Sequence, residues 1–370
     1  MPSLCVGPFR AIGVTPELGA MADALAGNLA TILTRVPLLQ VSICDGTPSN
    51  AAFQLRGEVR KAGNELHANI QLIDNIDGHL IWGRMFQHPA GDDVASGMLE
   101  KVLPRLEPQL VRAIGEKAGA GGSTADARTL LIKATGILTL KGWSRRSFEE
   151  SARMLREAIA KEEGLALAHA QLALILSLGA RFGILVDEIA AEEAARHADR
   201  ALELDDLDPI VTGATGCALS DIGQTRRARP LLKKAIELDP NNAQAWAAMG
   251  GLCLIEGAFD DAVRHLEKGL SVSPMDPRRS VWGGFLATVH VFRNDLEAAM
   301  RTALQAVEDD DRNHMPFLAL AAAQFLKGEA TAASATMRDV RRIRPDITDS
   351  EMARLLGEKM TSELRALEAA

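Results

Sequence analysis

Small and apolar residues recur with a fixed period along the C-terminal two thirds of the chain. One set of six positions returns after 34 residues: Gly216, Gly223, Ala228, Leu232, Ala235 and Pro240 are followed by Gly250, Gly257, Ala262, Leu266, Gly269 and Pro274. Small residues let two helices approach closely, a glycine ends the first helix in a left-handed conformation, and a proline stops the second. The pattern predicts a helix–turn–helix unit that stacks on copies of itself, because one unit cannot bury its apolar face alone.

The same spacing continues on both sides of these two copies. Ala299 and Ala333 are again 34 residues apart, and an earlier copy begins near Phe148. We therefore expect about six units over 126–345, the second of which carries roughly nine additional residues at about Ala180–Glu188. Beyond the last unit, apolar residues at helical spacing predict one capping helix within 346–370, at Asp349–Leu367.

The first 118 residues lack the 34-residue period and show a different pattern of apolar and polar positions. Short apolar runs at Leu4–Phe9 and Leu38–Cys44 enclose a helical pattern at Glu17–Arg35. Three segments with alternating apolar and polar residues then predict an antiparallel meander of strands at Phe53–Arg60, Leu66–Asp74 and His79–Gln87. A second helical pattern follows at Asp92–Lys117. The prediction is an α+β domain over 1–118, a linker at 119–125, and an all-α solenoid over 126–345.

Charge and hydropathy argue against direct binding of nucleic acid and against a membrane span. The chain has 41 lysines and arginines against 49 aspartates and glutamates, so its net charge is −8 and direct binding of nucleic acid is not expected. The longest uncharged apolar stretch, Leu165–Ala180, is shorter than the roughly 18–20 residues that a membrane span needs. The N-terminus also lacks the basic start and apolar run of a secretion signal. We therefore expect a cytoplasmic protein with no membrane span.

The four cysteines are expected to be reduced thiols. Cys5, Cys44, Cys217 and Cys253 lie far apart, and none belongs to a CxxC pair or has histidines at zinc-ligand spacing. Neither a disulfide framework nor a metal site is predicted from them.

No motif of a catalytic site is recognisable in the sequence. Phosphate-binding loops, nucleophile elbows and HExxH helices are absent. Asp74, Asp77 and Gly78 match part of a calcium loop, but the other oxygen ligands are missing, so a hairpin turn is the better interpretation. The sequence predicts a protein that is not an enzyme and that holds no cofactor or metal.

The repeat in the second part of the chain resembles the tetratricopeptide repeat. The resemblance is strongest in Pro209–Pro240 and Ala243–Pro274, although leucines and Cys253 replace the tyrosines common in that family. It implies a superhelix whose first helices line a concave groove, and mapping the spacing gives thirteen groove positions. These positions are Ile210, Gly213, Cys217, Gln244, Ala247, Gly251, Val281, Gly284, Thr288, Met315, Leu318, Ala322 and Phe325.

This predicted lining is small and apolar. Family members that grip acidic peptide ends place lysine and asparagine at such sites, so the resemblance disfavours that mode here. An apolar helix or extended segment of a partner protein fits the lining better. Other possibilities stay open. The groove could instead be covered, either by the chain's own insertion or by a second copy of the chain, or it could bind nothing.

The N-terminal segment resembles the TolB-like module of bacterial signalling proteins. The residues that carry the resemblance are Leu55–Phe86, and Val6–Phe9 and Ala22–Leu33 match more loosely. In that family the module is joined to tetratricopeptide repeats and usually follows an adenylate or guanylate cyclase domain or a winged-helix DNA-binding domain of the CadC/ToxR kind. The resemblance implies a non-enzymatic interaction scaffold in bacterial signalling or regulation. The alternative is the sensory portion of a truncated or split cyclase or transcription regulator.

Overall fold

The computed structural model describes residues 3–13, 15–34, 39–45, 50–91, 94–120, 126–273, 276 and 278–369. The chain forms two compact units, Met1–Gly136 and Ile137–Ala370. Among the helices of these residues, none is both long and apolar enough to cross a lipid bilayer.

The first unit is built on one mixed sheet with two helices. Its elements are β1 (Ser3–Val6), β2 (Arg10–Ile12), α1 (Pro16–Leu33), β3 (Gln40–Ile43), β4 (Phe53–Ala62), β5 (Glu65–Asp74), β6 (Leu80–Pro89) and α2 (Val94–Ala120). The sheet has the order β3-β1-β4-β5-β6, and β2 also pairs with β4. One face of this sheet is buried, as the cross-strand pair Leu55 and Leu72 shows, since both are 0% exposed.

The predicted meander is confirmed, but the sheet is larger than predicted. Strands β4, β5 and β6 pair antiparallel, while β1, β2 and β3 add parallel pairings to the same sheet. These additional strands are three or four residues long, too short to show an alternating pattern in the sequence. The helix α1 supplies the crossover that parallel pairing of β1 and β3 requires.

The prediction of four reduced cysteines is wrong for two of them. Cys5 and Cys44 form a disulfide with a Cα–Cα distance of 6.0 Å, although 39 residues separate them in sequence. Strand pairing brings them together, because Cys5 lies in β1 and Cys44 directly follows the neighbouring strand β3. Cys217 and Cys253 are free and buried.

The rest of the chain is helical. Its elements are α3 (Ala127–Lys141), α4 (Arg145–Lys161), α5 (Ala166–Arg181), α6 (Asp187–Leu204), α7 (Pro209–Asp221), α8 (Thr225–Leu238), α9 (Ala243–Ile255), α10 (Phe259–Val272), α11 (Arg279–Phe292), α12 (Leu296–Asp309), α13 (His314–Leu326), α14 (Ala330–Ile343), α15 (Asp349–Leu356) and α16 (Glu358–Ala369). In the described residues α3–α14 make six consecutive helix pairs, and the fold class is confirmed: an α+β domain followed by a helical solenoid.

The repeat glycines act as their spacing predicts. Gly223 and Gly257 have φ angles of 80° and 72°, so each ends the first helix of a pair in a left-handed conformation. A Cβ atom on Gly250 would lie 2.5 Å from Cγ of Leu266, which shows how closely α9 approaches α10. Pro240 follows the end of α8, whereas Pro274 lies outside the described residues.

The two ends of the solenoid differ from the prediction. The cap is two helices, because Gly357 separates α15 from α16 with a φ of 80°. Gly119 and Ala120, expected in the linker, are helical residues of α2, and 121–125 lie outside the described residues. The cap packs against α13 and α14 and buries Met352, Leu356 and Leu364.

A concave cavity as the candidate functional site

A narrow cavity opens where the first helices of four successive pairs converge. Its volume is about 50 Å³, and α5, α7, α9 and α11 supply most of its wall. The lining residues are Trp143, Leu174, Leu178, Arg181, Cys217, Ser220, Asp221, Gln244, Ala247, Ala248, Gly251, Arg278, Val281, Trp282 and Phe285. Small-molecule pockets measure roughly 300–1,000 Å³, so this cavity admits the end of one side chain rather than a whole ligand.

Five of the thirteen predicted groove residues meet at this cavity. They are Cys217, Gln244, Ala247, Gly251 and Val281. Gly251 faces open space, because a Cβ atom built on it has no neighbour within 4 Å. A side chain at position 251 would therefore grow into the cavity.

The other eight predicted positions do not line the cavity. They are Ile210, Gly213, Gly284, Thr288, Met315, Leu318, Ala322 and Phe325. Thr288 and Ala322 are 0% exposed, because α11 and α13 pack directly against each other. Gly213 is close-packed as well, since its Cβ atom would lie 2.9 Å from Asn242 Nδ2. The structure thus corrects the prediction of a continuous open groove along α11 and α13.

The sequence analysis missed a buried ion pair in the cavity wall. Arg181 Nη1 donates to Asp221 Oδ1 at 2.5 Å, and the two side chains are 15% and 3% exposed. The guanidinium also lies 4.7 Å from the ring centroid of Phe285. Burial raises the pKa of Asp221 above its usual value, although Arg181 acts in the opposite direction.

A second guanidinium, that of Arg278, also lines the cavity. Arg278 donates from Nε and Nη2 to the two carboxylate oxygens of Asp276, at 2.7 and 2.6 Å. Its Nη1 donates to Gln244 Oε1, and its guanidinium carbon lies 5.1 Å from the ring centroid of Trp282. The cavity is therefore more polar and more aromatic than the small apolar lining that the sequence predicts, because two paired arginines and three aromatic rings also surround it.

One polar atom in the cavity wall lacks a partner. Ser220 is 2% exposed, and its Oγ makes no hydrogen bond. The neighbouring carboxylate of Asp221 accepts bonds from Arg181 and Ser177. A buried hydroxyl without a partner costs stability, so the cavity wall favours a ligand that brings a hydrogen-bonding group.

The surroundings of the thiol in the cavity disfavour its reactive, ionised form. Burial and the charge of Asp221 raise the pKa of Cys217 well above its usual value. The thiolate is the reactive form of cysteine, so we expect Cys217 to react slowly with thiol reagents for as long as it stays buried.

Some of the cavity residues that the sequence analysis missed lie one helical turn after a predicted groove position. Asp221 is four residues beyond Cys217, and Phe285 is four residues beyond Val281. Arg278 lies in the extra residues between α10 and α11, where the repeat spacing is interrupted. No spacing rule links Arg181 to Asp221, because a loop of irregular length follows α5.

A separate cleft of about 460 Å³ lies beside a histidine pair. His169 Nδ1 and His197 Nδ1 are 2.8 Å apart, and His169 Nε2 is 3.2 Å from the carbonyl oxygen of Glu163. Burial lowers the pKa of both rings, that of His197 to about 4. With lowered pKa values these histidines are neutral at pH 7, and their Nδ1–Nδ1 distance fits one N–H···N hydrogen bond between α5 and α6.

The partial calcium motif forms a turn, as the sequence predicts. Asp74 Oδ1 accepts hydrogen bonds from the backbone N–H groups of Ile76 and Asp77, at 2.9 and 3.3 Å. Gly78 has a φ of 71°. Asp74, Asp77 and His79 place ligand atoms within 4.8 Å of one another, but these two hydrogen bonds of Asp74 are those of a local turn.

Comparison with known proteins supports the repeat assignment. Residues 221–280 match the model of the tetratricopeptide repeat family. The chain is also 26% identical over 192 residues to the protein named "Putative adenylate cyclase 3" of Rhizobium meliloti (strain 1021). That alignment covers 47% of this chain and 32% of the relative, so the chain matches about a third of the relative's length.

Two solved structures share the fold of most of the chain. The APC/C hetero-tetramer Cut9–Hcn1 aligns with a TM-score of 0.52 and 15% identity, over 75% of this chain and 49% of that chain. A monomeric mutant of IFIT1 with m7Gppp-AAAA aligns with a TM-score of 0.52 and 13% identity, over 70% of this chain and 63% of that chain. At this identity the likeness shows the fold alone, which is that of a tetratricopeptide solenoid.

Proposed function

We propose that this chain is a non-catalytic interaction scaffold in bacterial signalling or regulation, and that it binds a segment of a partner protein at the concave cavity. Its TolB-like first domain would link the scaffold to the rest of a signalling system. The tetratricopeptide solenoid supports the interaction role, since stacked repeats present extended concave surfaces for binding.

The convergence of four first helices on one cavity is the observation that carries this proposal. The cavity combines aromatic rings with guanidinium groups, which are enriched at the energetic centres of protein interfaces. Its small volume suits one anchoring side chain of a longer segment. The free hydroxyl of Ser220 favours a partner that also brings a polar group to the same place.

A second candidate function is the regulatory portion of a nucleotide cyclase or of a winged-helix regulator. The observation that favours it is the similarity to a relative whose name denotes a cyclase. On this hypothesis the scaffold acts on an output domain in the same protein or on a partner chain. Co-purification of a cyclase or DNA-binding domain with the full protein would favour this hypothesis over a free-standing scaffold.

Selection from a displayed library of random peptides tests the main proposal. The wild-type chain is expected to enrich a related set of peptides, and Gly251→Leu is expected to lose them, because the added side chain fills the cavity. The matched control is Lys268→Leu, which adds the same side chain to an exposed position of the outer helix α10. Equal enrichment by both variants would show that the cavity is not the binding site.

A further inference from the structure

The loop between α5 and α6, residues 182–186, is unusual among the loops of the solenoid because it buries large apolar side chains. Phe182 and Ile184 are 8% and 3% exposed. The backbone N–H groups of Ile184 and Leu185 both donate to the carbonyl oxygen of Gly179, so the loop folds back over the end of α5. We call these five residues the plug.

The plug contacts residues that are distant in sequence and belong to the concave side. The ring of Phe182 lies 5.5 Å from Trp143 and 6.4 Å from Phe285, measured between centroids. Both partners line the cavity. Because α5 and α11 are first helices of non-adjacent pairs, a contact from the residue that follows α5 to the middle of α11 bridges the concave side of the solenoid.

The C-terminal cap contacts both the plug and the end of α5. Arg354 Nη1 in α15 donates to the carbonyl oxygens of Ala180 and Arg181, at 2.8 and 3.1 Å. A Cβ atom on Gly183 would lie 2.3 Å from Glu351 Oε1, so the plug and the cap are in direct contact. Carbonyl groups at a helix end lack partners within the helix, and Arg354 supplies a donor to two of them at the end of α5, although that of Ala180 also accepts from the backbone N–H of Gly183.

We propose that the plug is an internal ligand of the concave groove, and that a partner binds by replacing Phe182 with an aromatic side chain of its own. This inference rests on the proposed function and names the class of partner for the same site. The gap between Trp143 and Phe285 already accepts one aromatic ring by edge and stacked contacts. Arg181 precedes the plug directly and pairs with Asp221, so movement of the plug also opens the cavity wall.

The rate at which a thiol reagent modifies Cys217 tests the plug without any partner. Cys217 lines the cavity, and buried Cys253 in the same chain reports general unfolding. Arg354→Ala removes the cap's bonds to Ala180 and Arg181, the two residues directly before the plug, and should raise the Cys217 rate about fivefold while leaving Cys253 unchanged. Arg338→Ala, an exposed position on α14, is the control and should change neither rate.

A second variant gives an independent result in case Arg354→Ala does not fold. Gly179→Ala places a Cβ atom 2.5 Å from Leu185 Cδ1, so it should push the plug outward while favouring the helix. It should raise the Cys217 rate as Arg354→Ala does. If Cys217 reacts at the wild-type rate in both variants, the plug does not cover the cavity and the inference is overturned.

Peptide selection on the wild type and on Arg354→Ala separates this inference from the proposed function. Peptides that share one aromatic position, bound about fivefold more tightly by Arg354→Ala, would support it. Enriched peptides without an aromatic anchor would overturn the replacement of Phe182 but leave the proposed function standing. Faster modification of Cys217 with no enriched peptide on either protein would overturn both the aromatic partner and the proposed function.

Discussion

At the scale of single residues, two adjacent glycines in α9 have opposite roles. Gly250 is in contact with the second helix of its pair, since a Cβ atom there would lie 2.5 Å from Leu266 Cγ and 3.1 Å from its backbone nitrogen. Gly251 faces the open cavity. The repeat spacing predicted the packing role of Gly250 and the groove position of Gly251, because both follow from a 34-residue period. It did not predict the arginines of the cavity, whose positions depend on irregular loops.

The glycine pair gives a direct stability prediction. Gly250→Ala should lower the free energy of unfolding by roughly 1–3 kcal/mol, because its methyl group overlaps Leu266. Gly251→Ala should raise it by about 0.5–1 kcal/mol, because alanine favours the helix and meets no neighbour. Urea denaturation of both variants measures the difference. Equal destabilisation by the two would contradict this packing.

Buried histidines give a prediction for acid pH. His314 is 4% exposed, and burial together with Arg344 lowers its pKa to about 3, although Asp346 acts in the opposite direction. A histidine with a depressed pKa is neutral in the folded chain, so its protonation in the unfolded chain below about pH 6.5 favours unfolding. Stability should therefore be full above about pH 6.5 and fall as the pH drops toward 4, by about 2 kcal/mol at pH 5 for this residue.

Urea denaturation at pH 7.5 and pH 5 checks the role of His314. The His314→Gln variant should lose less stability between the two pH values than the wild type. His79→Gln, at a position with an exposed side chain, is the control and should keep the wild-type difference. If His314→Gln loses as much stability between pH 7.5 and pH 5 as the wild type does, the acid sensitivity arises from other groups, such as the pair His169 and His197.

At the scale of elements, the boundaries follow the residues that break helices and strands. Gly223 and Gly257 end first helices as their spacing predicts, and Asp74 and Gly78 shape the predicted turn between β5 and β6. Elements without such local signals were missed. The strands β1 to β3 depend on pairing with distant segments, and the break at Gly357 lies within a pattern that reads as one continuous helix.

The cap offers a prediction at this scale. Leu364 in α16 is 0% exposed, and the cap packs against α13 and α14. Leu364→Ala should lower the free energy of unfolding by roughly 2–5 kcal/mol, through loss of buried area and formation of a void. Glu363→Ala, at the exposed neighbouring position, should change it little. Thermal unfolding followed by circular dichroism distinguishes the two variants.

At the scale of the whole molecule, the chain consists of two units with separate cores. The fold class could be predicted because each unit repeats a simple pattern, alternation in the first and a 34-residue period in the second. The disulfide could not be predicted, and neither could the contacts that hold the plug, although the sequence does show extra residues at about Ala180–Glu188 as one possible cover of the groove. Each depends on residues brought together from distant parts of the chain, Cys5 with Cys44 and Arg354 with Ala180.

The disulfide predicts a difference between the units. Reduction should lower the stability of Met1–Gly136 by about 2–4 kcal/mol, because the bond closes a loop across 39 residues of the unfolded chain. The solenoid, whose described cysteines are free, should be unaffected. Hydrogen exchange with and without reductant measures each unit separately. An equal change in both would contradict the assignment.

Hydrogen exchange of the protein with a selected peptide bound tests whether the concave cavity is the partner site. We expect slower exchange in the parts of α5, α7, α9 and α11 that line the cavity, and faster exchange in the displaced plug at Ile184 and Leu185. The outer helices α8 and α10 should keep their free rates. Protection confined to the outer helices or to the first unit would contradict the claim that the concave cavity is the partner site.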